Sequence, residues 1–181
     1  ALGGANIIAN LSASNELVGK DNYRKELIKT QSARTISAYL YASAGFSEST
    51  SDLVFGGSGY VYENGKELTS LKRFEMDDQL QVVDVDIEYL TNERLNNTTF
   101  NDSKKNLPYS FTIVNFTQNE TVPYFTRYIN PHPFIPNIMD ETGGKVCKEI
   151  LSIQSTALAR RLSSIKNCKA TIGISGGLDS T

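Results

Sequence analysis

The sequence predicts an α/β fold built in layers around a sheet that is partly antiparallel. Three observations carry that prediction. Short apolar runs empty into small polar loops, as the strands of a packed sheet do. Between them lie stretches whose apolar residues recur at helical spacing. Asn64-Gly65 stands between two short strand-like runs, and that pair supplies the positive φ angles of a tight hairpin turn. The chain has 181 residues, 39% hydrophobic and 21% charged, which is length for one domain, or for one domain and the beginning of another.

Taken in order, Gly4 to Leu11 is mostly apolar without alternation and ends in Ser12-Ala13-Ser14-Asn15, so it reads as a buried strand running into a loop. Good helix formers follow from Asp21, a candidate cap, and Tyr23, Leu27, Gln31 and Arg34 fall on neighbouring turns of a helix reaching about Ile36. Ala38 to Ala42 is aromatic-rich and fits a second strand, with Ser43-Ala44-Gly45 as its turn. Gly59 to Glu63 and Lys66 to Leu68 form the hairpin. Leu80 to Ile87 alternates as a half-buried strand and passes directly into a helix through Leu90, Arg94 and Leu95.

Composition shifts at Asn96, where Asn, Thr, Ser and Lys crowd the chain, and residues 96–124 read as an interdomain connection containing a possible strand at Tyr109 to Phe116. Six Asn-x-Ser/Thr matches, at Asn10, Asn96, Asn97, Asn101, Asn115 and Asn119, follow from this composition and are not read as glycosylation sites. Beyond the proline-rich Asn130 to Pro136, residues from Val146 to Ile165 repeat at three and four, which predicts an amphipathic helix lying against a sheet. Lys169 to Ile174 is a short strand leading into Ser175-Gly176-Gly177-Leu178-Asp179-Ser180.

Charge and composition exclude several classes of function. A net charge of −2 lacks the basic footprint of a nucleic-acid binder. No apolar run has the ~18 to 20 residues of a membrane helix, and the first residues lack a basic signal start, so a soluble, cytoplasmic setting is expected. Cys147 and Cys168 are too few for a disulfide framework or a cysteine metal cluster. His132 is the only histidine, and its place between two prolines suits a rigid turn better than a proton shuttle.

The C-terminal string carries the most chemistry. Gly176 and Gly177 permit backbone angles closed to other residues and let amide groups approach an anion, while Ser175 and Ser180 add hydroxyl donors. The Walker lysine is absent. Asp179 is a candidate carboxylate for magnesium. A bare Gly-Gly would read as an ordinary turn, whereas the six-residue string directly after an apolar strand points to pyrophosphate.

Ser175 to Ser180 resembles the pyrophosphate loop of the N-type ATP pyrophosphatases. Asn130 to Pro136 and Cys147 to Ile150 resemble the entry to the synthetase domain of glutamine-dependent NAD synthetase. Asn10 to Glu16, Gln31 to Arg34 and Glu48 to Phe55 are similar to the second half of that family's nitrilase-type glutaminase domain. The resemblance implies part of a nitrilase-like αββα sandwich over 1–95, a connection over 96–124, and over 125–181 the first helix and strand of a Rossmann-like adenine-nucleotide α-hydrolase domain.

It also implies a ligase that hydrolyses glutamine and uses the ammonia with ATP and Mg2+ to amidate deamido-NAD, in a homo-oligomer. The family's catalytic Glu-Lys-Cys set is then expected before Ala1, which makes this segment inactive by itself. By similarity, glutamine falls to Ser14 and Lys20, and ATP to Gly173, Ile174, Ser175, Gly176, Gly177, Leu178, Asp179 and Ser180, with Asp179 at the metal. Taken alone, Lys20 would read as a solvated surface charge. Glu48 to Asp52 could line the glutaminase site or merely cap a strand, and stays unassigned. A non-catalytic association module and a stand-alone nitrilase-type amidohydrolase are the alternatives. The second has no use for a pyrophosphate loop.

Overall fold

The structure is a computed structural model that describes residues 1–105, 107–108, 110–117, 124–133, 135 and 141–178. The chain divides into two compact units, Ala1–Tyr128 and Ile129–Thr181. Unit 1 contains β1 (Ile7–Ser12), α1 (Lys20–Thr35), β2 (Ala38–Ser43), a 3-10 turn at Phe46–Glu48, β3 (Gly59–Glu63), β4 (Lys66–Ser70), α2 (Ile87–Asn96) and α3 (Thr98–Lys105). Its four strands form one mixed sheet in the order β1-β2-β3-β4. β1 and β2 are parallel, in register from Ile7 with Ala38 to Ser12 with Ser43, and α1 is the crossover that parallel pairing requires.

The hairpin forms as the sequence predicts. Asn64 and Gly65 have φ of 46° and 81°, the positive pair that matches the twist of the flanking strands. Glycine is needed at 65 for a second reason: a Cβ there would lie 2.9 Å from the Ala33 Cβ of α1. Ser32, fully buried, joins the two elements, since its hydroxyl donates to the Ser37 carbonyl at 2.7 Å and accepts from the Gly65 N–H at 3.1 Å.

Helix α1 departs from expectation in its cap and its buried face. Its cap is Gly19, at φ 81°, while Asp21 lies in the first turn and makes tertiary bonds instead. The buried stripe is Arg24, Ile28 and Ser32, with Tyr23 and Leu27 largely exposed. A polar stripe can be buried because each member finds a long-range partner. The helix ends at Ile36, held at φ 45°, a costly angle for a β-branched residue. Its buried side chain packs with Ala38 and Leu90, and Leu40, Val85 and Phe100 border that cluster. The second cluster is Ile28, Tyr41, Tyr60 and Tyr62, with Tyr41 and Tyr60 stacked at 5.9 Å between centroids.

Three expected strands are absent among the described residues. Residues 80–86 belong to no ladder, and Asp86 caps α2 by accepting the Tyr89 N–H at 2.7 Å. Residues 110–117 and 169–175 likewise form no strand, and Tyr109 lies outside the described residues. Alternation marks a residue pattern, but a strand exists only where a neighbour takes its N–H and C=O groups. β1 is also less buried than expected: it is the sheet's edge, and its side chains alternate between exposed and half-buried.

α2 and α3 are anchored by Arg94, which is buried. Its Nε donates to the Ile36 carbonyl at 2.9 Å, Nη1 to Gly4 O and Asn6 Oδ1, and Nη2 to Ala5 O at 2.7 Å and Thr35 O at 3.1 Å. The guanidinium also lies over the Phe100 ring of α3 at 5.1 Å, within the stretch whose composition reads as a connection.

Unit 2 holds one long helix, α4 (Glu141–Ser163), where the apolar repeat predicts one. The sequence reading places a sheet beneath it, whereas unit 2 has no strand among its described residues, and Ile150, Leu151, Ile153 and Leu158 are exposed. Among the described residues no helix is long and apolar enough to cross a membrane.

Candidate functional site

The end of β1, the 13–19 loop, the first turns of α1 and the middle of β2 enclose a cleft of about 410 Å³. It is lined by Asn10, Ser12 and Ser14, by Lys20, Tyr23, Arg24, Leu27, Ile28 and Gln31 of α1, and by Tyr39 and Tyr41 of β2. Ser14 and Lys20, joined in the sequence reading only by resemblance, thus share one cavity. The exposed stripe Tyr23-Leu27-Gln31 of α1 faces it too, which accounts for apolar side chains left outside the core.

Lys20 is half-buried, and its ammonium donates to the Asn15 carbonyl at 2.8 Å and to Asn15 Oδ1 at 2.9 Å. An ammonium carries three donors. Asn15 thus fixes the cation beside Ser14, with hydrogen-bonding capacity to spare. A half-desolvated cation and a hydroxyl at the mouth of an aromatic cleft suit a small molecule with a carboxylate and a polar tail.

Behind this edge lies an ionic network that the sequence reading missed. Glu16 pairs with Arg24 at 2.9 Å and with Arg73 at 2.8 Å, and its side chain is only 6% exposed. Asp21 faces Arg24 at 3.5 Å, Lys25 at 3.6 Å and Arg73 at 3.4 Å, and accepts the Tyr60 hydroxyl. Burial alone disfavours the charge on Arg24, but the hydrogen bond and charge of Glu16 outweigh it and hold its pKa above the ordinary value. Burial, with the bond to Asp21, pushes the Tyr60 phenol up to about 12. The one local hint was that polar Arg24 and Ser32 lie four residues to either side of Ile28, on one face of the helix.

The remaining candidates lie elsewhere. In the C-terminal loop Gly176 has φ 83°, whereas a Cβ on Gly177 would meet only ordinary contact, 3.7 Å from the Ser175 hydroxyl. Gly173, Ile174 and Leu178 are exposed, and Asp179 and Ser180 lie outside the described residues. Among the described residues no group of three His, Cys, Asp or Glu side chains gathers to hold a metal. Cys147 and Cys168 are exposed free thiols. His132 closes a local turn, its N–H donating to Asn130 Oδ1 at 2.9 Å. The unassigned Glu48 to Asp52 stretch is largely self-satisfied, with the Thr50 hydroxyl accepting from Asp52 and Leu53 N–H and the Ser49 hydroxyl from Phe55 N–H.

Curated proteins provide the decisive comparison. Glutamine-dependent NAD(+) synthetases of Mycobacterium tuberculosis, Mycobacterium bovis and Mycobacterium leprae are each 38% identical over 186 aligned positions that cover 100% of this chain. From end to end the chain is similar to glutamine-dependent NAD(+) synthetases. It spans 27% of the length of these relatives. No protein-family model matches the sequence. A crystal structure of a glutamine-dependent NAD(+) synthetase from Cytophaga hutchinsonii aligns with 38% of this chain and 12% of its own, at 28% identity and a TM-score of 0.37, too low to speak for the fold.

Proposed function

We propose that the chain is part of a glutamine-dependent NAD(+) synthetase, a carbon–nitrogen ligase that takes the amide nitrogen of glutamine and delivers it to deamido-NAD at the expense of ATP. The observation that supports this most directly is 38% identity extending over the whole chain. In this reading residues 1–95 are the second half of a nitrilase-like αββα sandwich, 96–124 connect, and 125–181 open a Rossmann-like ATP pyrophosphatase domain. The working protein is a cytoplasmic homo-oligomer.

In the glutaminase part, Ser14 donates its hydroxyl to the amino-acid end of glutamine, and Lys20 takes the α-carboxylate in a charge-assisted bond. Their common cleft supports this assignment. In the synthetase part, the amides and hydroxyls of residues 173–180 cradle the ATP phosphates. The positive φ of Gly176 suits that role. Asp179 would be the hard oxygen donor that holds Mg2+, which would supply charge neutralisation on the phosphates when bound. The nicotinate carboxylate attacks the α-phosphorus and pyrophosphate leaves, then ammonia attacks the acyl carbon and AMP leaves. The full-length protein carrying this chain, given ATP, deamido-NAD and either glutamine or ammonium, is expected to form NAD and AMP in equal amounts. Failure to form NAD from both nitrogen sources would refute the proposal.

A further inference from the structure

We propose that Glu16 is a positioning residue for the glutamine clamp, holding Ser14 and Lys20 at their working separation through Arg24 and Arg73. The inference rests on the reading above that those two residues bind glutamine. Glu16 lies between them in a loop without regular structure, yet its carboxylate is almost wholly buried. Oε1 accepts from Arg24 Nη1 at 2.9 Å and from the Ser58 hydroxyl at 3.3 Å, and Oε2 accepts from Arg73 Nη2 at 2.8 Å. Its N–H donates to the Val54 carbonyl at 2.7 Å. The loop is thereby tied to the wall of the cleft, to the start of β3 and to the segment after β4.

Two further features show that the carboxylate sits in a built seat. A Cβ on Gly56 would lie 2.7 Å from Glu16 Oε1, so any side chain at 56 would have to push the Glu16 carboxylate from its place. Arg24 is buried, and its Nε and Nη2 have no hydrogen-bond partner. Its charge is therefore met through Nη1, where Glu16 is the nearest acid. Removing the Glu16 charge leaves a buried cation under-compensated in the cleft wall, and the loop that carries Ser14 loses its anchor. Displacement of a binding group by about 1 Å is enough to cost on the order of 100-fold.

The test compares nitrogen sources in the full-length protein carrying this chain, with saturating ATP and deamido-NAD. Glu16→Gln and, separately, Gly56→Ala, which keeps every charge but crowds the carboxylate, are expected to raise the KM for glutamine by about 10- to 100-fold. Synthesis from ammonium should stay at the wild-type rate, because ammonium bypasses the clamp. Glu16→Gln combined with Arg73→Gln should cost less than the sum of the two single variants, since the Glu16–Arg73 ion pair is lost only once. Lys29→Ala, on an exposed helical pair, is the control. An unchanged glutamine KM in both single variants would overturn the inference, as would parallel loss of glutamine- and ammonium-dependent synthesis in both. A wild-type protein inactive with either nitrogen source would instead sink the functional reading itself.

Discussion

Replacing Arg94 by lysine tests how unit 1 is held together. The guanidinium has five N–H donors and spends them on Ile36 O, Gly4 O, Asn6 Oδ1, Ala5 O and Thr35 O. Lysine keeps the charge but brings three donors, so at least two acceptors lose their partner. A hydrogen bond to a charged group contributes about 1.5 to 3 kcal/mol, and water can replace part of that at the Gly4 to Asn6 end, where Gly4 and Ala5 are exposed. Loss of the contact with Phe100 adds about 0.5 to 1 kcal/mol. The expected net loss is about 3 kcal/mol. With a urea dependence of about 1 to 3 kcal/mol per molar, the unfolding midpoint should fall by roughly 1 to 3 M. Equilibrium urea unfolding followed by far-ultraviolet circular dichroism measures this. A midpoint that does not move, at unchanged slope, would show that the Arg94 fork does not hold β1, α1 and α2 together.

Three more outcomes are expected. Lys20→Ala should raise the KM for glutamine in the full-length protein while leaving ammonium-dependent synthesis intact, and steady-state assays with each nitrogen source would expose an unaffected KM. Gly65→Ala should cost about 1 to 2 kcal/mol from the left-handed backbone alone, and more from the 2.9 Å approach to Ala33, as read by thermal unfolding. Tyr60 has its phenol raised from 10.0 to about 12 by burial and by its bond to Asp21, so folding favours the neutral form. Its contribution is therefore complete below pH 10 and is lost as pH rises toward about 12. Tyr60→Phe should lessen the fall of stability across that interval, and an identical decline in both proteins would contradict the assignment.

Where the fold was legible, one or two residues decided a local angle or a period. Asn64-Gly65 makes the turn because both positions tolerate positive φ. The apolar repeat from Val146 likewise marks α4. The reading failed at Leu80 to Ile87 and at Lys169 to Ile174, where a strand-like pattern pairs with no strand among the described residues, and at α1, whose polar stripe turned inward. The candidate site shows the same division. Ser14 and Lys20 could be named only by resemblance to the family, and the cleft that joins them also needs Tyr39 and Tyr41 from another strand.

Sequence alone thus marked the hairpin, α1, the strand β2, the long C-terminal helix and the resemblance to NAD synthetases, all of which depend on near neighbours or on a string of residues. Tertiary structure decided which charges are buried together. Glu16 meets Arg73 across 57 positions, and Arg94 reaches Gly4 across 90. Such pairs leave no period in the chain. Their geometry arises only when the sheet and helices close around them, because a buried charge is tolerated only beside a partner that the packing brings to it.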